Sequence, residues 1–94
     1  MPSTFEAVRA EALFVSSLQS SDRPAADQVR GAVAGTLRRL GIRGCASQVA
    51  GEFGDHPETA VARMLWALAT VRTVYLPRPA AEPGQPPRPL ALAG

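Results

Sequence analysis

Apolar residues recur at helical spacing from the N-terminus to about residue 75, and no segment shows the strict alternation of a half-buried strand. Four helices are expected. The first is predicted from Ser3, where Ser3 and Glu6 have capping-box spacing, to about Leu18. Phe5, Val8, Ala12, Val15 and Leu18 give it one apolar side, and Leu13 and Phe14 carry that side well around the cylinder. A helix of this kind is covered on more than one side, by other helices or by a dimer partner. The run Ser20-Ser21-Asp22-Arg23-Pro24 predicts a break, with Pro24 in the first turn of a second helix. That helix carries the cleanest stripe, Val29, Val33, Leu37 and Leu40. Gly31 and Gly35 offer a smooth strip where another helix could approach, and Gly41 is the natural stop. A short third helix is expected over about Cys45–Phe53, with Val49 and Phe53 inward. The fourth should open on the capping pair Asp55 and Glu58, with Pro57 in its first turn, and end near Tyr75 before Pro77. Ala60, Val61, Met64, Leu65, Leu68, Val71 and Tyr75 form its predicted apolar face.

The expected architecture is an all-α, four-helix domain over 1–76, with a trihelical core over about 22–76. Residues 77–94 read as a disordered tail, since six of the last eighteen residues are proline and little apolar surface is left to offset ordering entropy. Within it, Pro86-Pro87-Arg88-Pro89 has the polyproline character that docks in aromatic grooves.

The segment from Val49 to Met64 resembles bacterial helix-turn-helix segments of transcriptional regulators and recombinases. It has small Ala50 where two helices would touch, Gly54 where the turn would need positive φ, His56-Pro57-Glu58-Thr59 opening the next helix, and apolar Ala60 and Met64. The resemblance implies that the fourth helix reads the DNA major groove. Opposite its apolar face lie Thr59, Ala62, Arg63, Trp66, Ala69, Thr70 and Thr73. Among these and the preceding turn, Thr59, Arg63 and His56 are the groups with the chemistry to reach bases or phosphates.

Charge refines that picture. The 94-residue chain has a net charge of +2, too small to mark a nucleic-acid binder. Between Asp27 and Glu52, however, there is no acid, while Arg30, Arg38, Arg39 and Arg43 fall there. Such a patch is either a phosphate-contacting surface or an ordinary solvated helix face. Arg38 and Arg39 also suit the dipole at their helix's C-terminus. All ten basic residues are Arg, Asn is absent and Ile occurs once, a codon bias of the kind found in GC-rich actinobacterial genomes. Trp66 has two readings: an anchor for a protein partner, or a core residue beneath the first helix.

Little points to catalysis. Cys45 and His56 are the sole cysteine and histidine; they are separated by a helix and a turn, with no third group to orient the imidazole. Cys45 is expected as a small core residue, and no metal-ligand spacing or phosphate-binding glycine loop is present. No cofactor and no small-molecule substrate are expected. A lone cysteine allows no internal disulfide, which suits a cytoplasmic location. No stretch approaches the ~18–20 apolar residues of a membrane span, and Glu6, Arg9 and Glu11 fall where a signal peptide would be apolar. Two functions remain. One is a small DNA-binding or transcription-associated regulator, a possible homodimer, using Arg38, Arg39, Arg43, His56, Thr59 and Arg63. The other is a helical protein-interaction module anchored by Leu13, Phe14 and Trp66.

Overall fold

The computed structural model describes residues 4–75, and these fold as an all-helical unit. Its elements are α1 (Thr4–Val15), a 3₁₀ turn (Ser20–Asp22), α2 (Ala26–Asp55) and α3 (Pro57–Tyr75). Ser3 and the Pro-rich segment lie outside the described residues, so the proposed Ser3 cap and the tail are not part of this description.

Helix α1 is the centre of the packing, and both α2 and α3 lie against it. Ala10, Ala12, Leu13 and Phe14 are all buried although they do not share one face, so the C-terminal half of α1 is enclosed by its neighbours. Phe14 stacks on Phe53 with centroids 6.0 Å apart. The helix ends at Val15, a turn before the expected Leu18. There Ser16 donates its N–H to Ala12 O and Leu13 O, and its hydroxyl to Leu13 O at 2.7 Å.

The break after α1 is longer than the position of Pro24 suggests. Asp22 Oδ2 accepts from Gln19 N–H, Arg23 adopts the left-handed conformation (φ 46°), and α2 begins only at Ala26, with Gln28 Oε1 accepting from Ala25 N–H. Pro24 therefore precedes the helix. The stripe behaves as its spacing predicts: Val29 and Val33 are buried, Leu37 and Leu40 pack against the core, and Thr36 joins them inside.

The expected second and third helices are one element, broken at Gly41. Its φ of 73° and ψ of 170° occupy a region essentially restricted to glycine. Gly41 is thus a backbone break within α2 and not merely a stop. Past it, Cys45 and Val49 are buried and Phe53 is half-buried, in the expected phase.

Two expectations about the helix-turn-helix centre are corrected. Gly54 has no positive φ and lies within α2, which runs on to Asp55; one residue, His56, makes the whole turn. Its N–H donates to Glu52 O at 2.7 Å, and its carbonyl accepts from Ala60 N–H at 2.9 Å and Thr59 Oγ1 at 3.2 Å. Asp55 consequently ends α2 and does not cap α3, which starts on Pro57, where a missing N–H costs nothing. Ala50 is exposed, so it is not the contact between helices. Nor is the Gly31–Gly35 strip: a Cβ at Gly31 would meet nothing within 4 Å, and one at Gly35 would meet only Arg38 Nη2 at 3.9 Å. The small residues that let the helices approach are Ala10 and Ala12 on α1 and Ala60 and Ala67 on α3, each at most 3% exposed.

The glycines yield a direct contrast. Gly41→Ala forces a side chain into the glycine-only region and should cost about 1–3 kcal/mol, although the space beside it is open. Gly51→Ala, exposed within the helix with nothing within 4 Å, should gain about 0.5–1 kcal/mol. Urea unfolding followed by circular dichroism separates the two signs.

Candidate functional site

The DNA-reading face expected on α3 is built around Arg63, and the structure gives that residue another task. Its Nε donates to Phe14 O at 2.7 Å. Its Nη2 donates to Ser16 O at 2.9 Å and Leu18 O at 2.8 Å, with a longer contact of 3.4 Å to Leu13 O. The guanidinium carbon lies 5.7 Å from the Phe14 ring centroid and 5.1 Å from that of Trp66. A cation thus closes the C-terminal end of α1, where unsatisfied carbonyls and the negative dipole end converge. Burial lowers the pKa of Arg63 from its ordinary value, as expected for a partly desolvated cation.

The rest of that face is small and open. Thr59, Ala62, Ala69 and Thr73 are exposed; Trp66 and Thr70 are half-buried. Thr59, Ala62, Arg63 and Trp66 share a shallow groove of ≈ 280 Å³ with Gln19 and Ser20. The Thr59 hydroxyl is already turned back onto His56 O. His56 itself is exposed.

Arg38, Arg39 and Arg43 are exposed on both sides of the Gly41 break and form no ion pair among the described residues. Arg30, the fourth cation of that acid-free run, is held by Asp27 at 2.6 Å. Arg39 borders a separate groove with Ser16, Ser17, Gly35 and Thr36. Elsewhere, Arg72 is bound to Glu6, and Arg9 lies 4.2 Å from the Tyr75 ring centroid. Tyr75 is raised above its ordinary pKa by burial, with Arg9 and Arg30 acting in the opposite direction.

The residues expected as protein anchors divide. Leu13 and Phe14 are 0% and 4% exposed, enclosed in the chain's own core, and have no surface to offer a partner. Trp66 stays half-buried, one side against Arg63. Large apolar surface appears elsewhere, at Phe5, Ile42, Val61 and Leu65. Val61 and Leu65 were expected inside. The true inner face of α3 is rotated toward Ala60, Ala67 and Val71, so the larger aliphatic side chains fall outside it. Counting bulk alone hides this, because alanine is what permits close helix contact.

Cys45 is buried at 1% exposure. Burial chiefly, and Glu11 secondarily, push its thiol pKa up, while Arg39 pulls it down. Among the described residues, no three His, Cys, Asp or Glu side chains come together as a metal-holding group. No helix among them is long and apolar enough to cross a membrane.

Two measurements probe these environments. Arg63→Ala leaves several carbonyls without their donor and should destabilise the fold by about 1–3 kcal/mol in denaturant titration. Arg63→Lys should recover only part, because an ammonium cannot reproduce the planar fork. The Cys45 thiol stays protonated in the folded chain at a pH where the unfolded chain ionises it. Its contribution is therefore complete below the ordinary thiol pKa and is lost as pH rises through the elevated value. The fall in Tm between about pH 7 and about pH 10 should be shallower in Cys45→Ala than in the parent chain.

No family model matches the chain, and no curated protein or solved structure matches it.

Proposed function

We propose that this chain is a non-enzymatic helical protein-interaction module. The observation that carries the reading is the engagement of Arg63: the cation expected to approach DNA from α3 is occupied by four carbonyls of α1 and its following loop. What remains on that face is threonine, alanine and half-buried Trp66, which leaves it without the positive charge to hold phosphate. Exposed Phe5, Val61 and Leu65 offer instead the apolar contacts from which protein interfaces are made.

A second reading, a DNA-binding or transcription-associated regulator, draws on Arg38, Arg39 and Arg43, exposed around Gly41 and without acidic partners among the described residues. Three phosphate contacts from one copy give weak affinity, and a dimer doubles them and steepens the salt dependence.

A salt series with random-sequence duplex DNA separates the two. The interaction reading expects no binding beyond a weak association that vanishes near physiological salt. Tight binding with a steep salt slope, lost in Arg38→Ala/Arg39→Ala/Arg43→Ala, would establish the DNA reading in its place.

A further inference from the structure

The outer side of α3 carries a short apolar seam whose ends are oppositely charged. Leu65, 63% exposed, stands at its middle, with exposed Val61 and Ala62 before it and, after it, exposed Ala69 and the edge of Leu68, which is half-buried against the core. Glu58 lies two turns before Leu65 on this side of the helix, and Arg72 two turns after it. Glu58 is exposed and has no ion-pair partner among the described residues. Arg72 is bound through Nε to Glu6, and its side chain is 55% exposed, so the Nη end of the guanidinium can take a second carboxylate. Phe5, 74% exposed, neighbours the Arg72 end, because Arg9 of the same helix touches both the Phe5 and Tyr75 rings.

We propose that this seam binds a second copy of the same chain, α3 packing antiparallel on its counterpart about a two-fold axis through Leu65. The pattern is self-complementary in that register and in no parallel one. Leu65 faces the Leu65 of the other copy, Val61 faces Ala69, Ala62 faces Leu68, and Glu58 faces Arg72 at each end. Large opposes small at each intermediate position, which suits two helices approaching to about 8–10 Å. Two-fold pairing is the closed, isologous arrangement that most homo-oligomers adopt. The end charges set direction and register more than strength, since exposed ion pairs contribute little. A parallel pairing would place Glu58 on Glu58 and Arg72 on Arg72. With about five side chains per copy the buried area falls below the ~1,200 Å² of stable complexes, so the dimer should be concentration dependent. Glu58 and Arg72 also complement the dipole of α3 itself, so the same two residues serve helix and interface.

This assignment rests on reading the chain as an interaction module and names its partner. The test is sedimentation equilibrium of the full chain over a concentration series, with thermal melts to confirm that each variant is folded. The parent should associate reversibly to a two-fold mass. Leu65→Glu, which sets two carboxylates on the axis, should weaken association by at least about tenfold. Glu58→Arg and Arg72→Glu should each self-associate more weakly than the parent, yet pair preferentially with each other when mixed, because mixing restores opposite charge at both ends. A parent that stays monomeric at hundreds of micromolar overturns the pairing. So does a dimer indifferent to Leu65→Glu and to both charge reversals, although that dimer would leave the interaction reading standing. Steep, salt-sensitive DNA binding would remove the interaction reading itself, whatever the oligomeric state.

Discussion

The fold depends on one long-range contact, the guanidinium of Arg63 set into the C-terminal end of α1. Helix α1 has no basic residue in its last turn and no glycine to reverse the chain behind it. Left alone, its final carbonyls would face a half-buried loop with too few donors, and each such group costs roughly a kilocalorie or more. Ser16 satisfies the carbonyls of Ala12 and Leu13, and Arg63 reaches Phe14 and the loop as far as Leu18. The same side chain lies against Phe14 and Trp66, so hydrogen bonding and packing hold one geometry together. Arg63 thereby ties α3 to the helix that both other helices enclose.

Two backbone features make this meeting possible. Gly41 breaks α2 so that its second part can lie beside α1 with Cys45 and Val49 inward, and His56 turns the chain into α3 within a single residue. The turn is tight because the backbone groups of His56 serve both flanking helices. It therefore has no use for a flexible glycine, and Gly54 remains helical. The inner surfaces of α1 and α3 are largely alanine, so these helices come close and their larger aliphatic residues are displaced to the sides. The surface chemistry follows from that displacement: Val61 and Leu65 are exposed because Ala60 and Ala67 are the residues that touch.

Much of the architecture was legible in the sequence. The all-helical class, the stripe on α2, the core position of Cys45 and the burial of α1 on several sides all follow from spacing and local chemistry. Arg63 was not legible in the same way. On a helical projection it lies outside the apolar stripe, where an arginine ordinarily faces solvent or a polyanion. Only the missing cap of α1 hinted that a donor had to come from elsewhere, and nothing local says which residue supplies it. Leu13 and Phe14 were misplaced as anchors for a related reason: an overly apolar helix fits both an interface and a core, and spacing does not choose between them. The phase of α3 is set by its small residues, which decide how near two helices can come, so its bulkier side chains are a poor guide to its inner face.

The span of the Arg63 contacts has a consequence for how the chain comes to be folded. The carbonyls it satisfies lie 45–50 residues earlier. During synthesis α1 leaves the ribosome before α2 and α3, and its 12 residues are too few to persist as a helix in water unaided. Its cap is made only after the turn at His56 and the start of α3 have left the ribosome. Helix α2 can cover the apolar side chains of α1 before then, but the last carbonyls of α1 and its loop receive their donor only from a residue made 45–50 positions later.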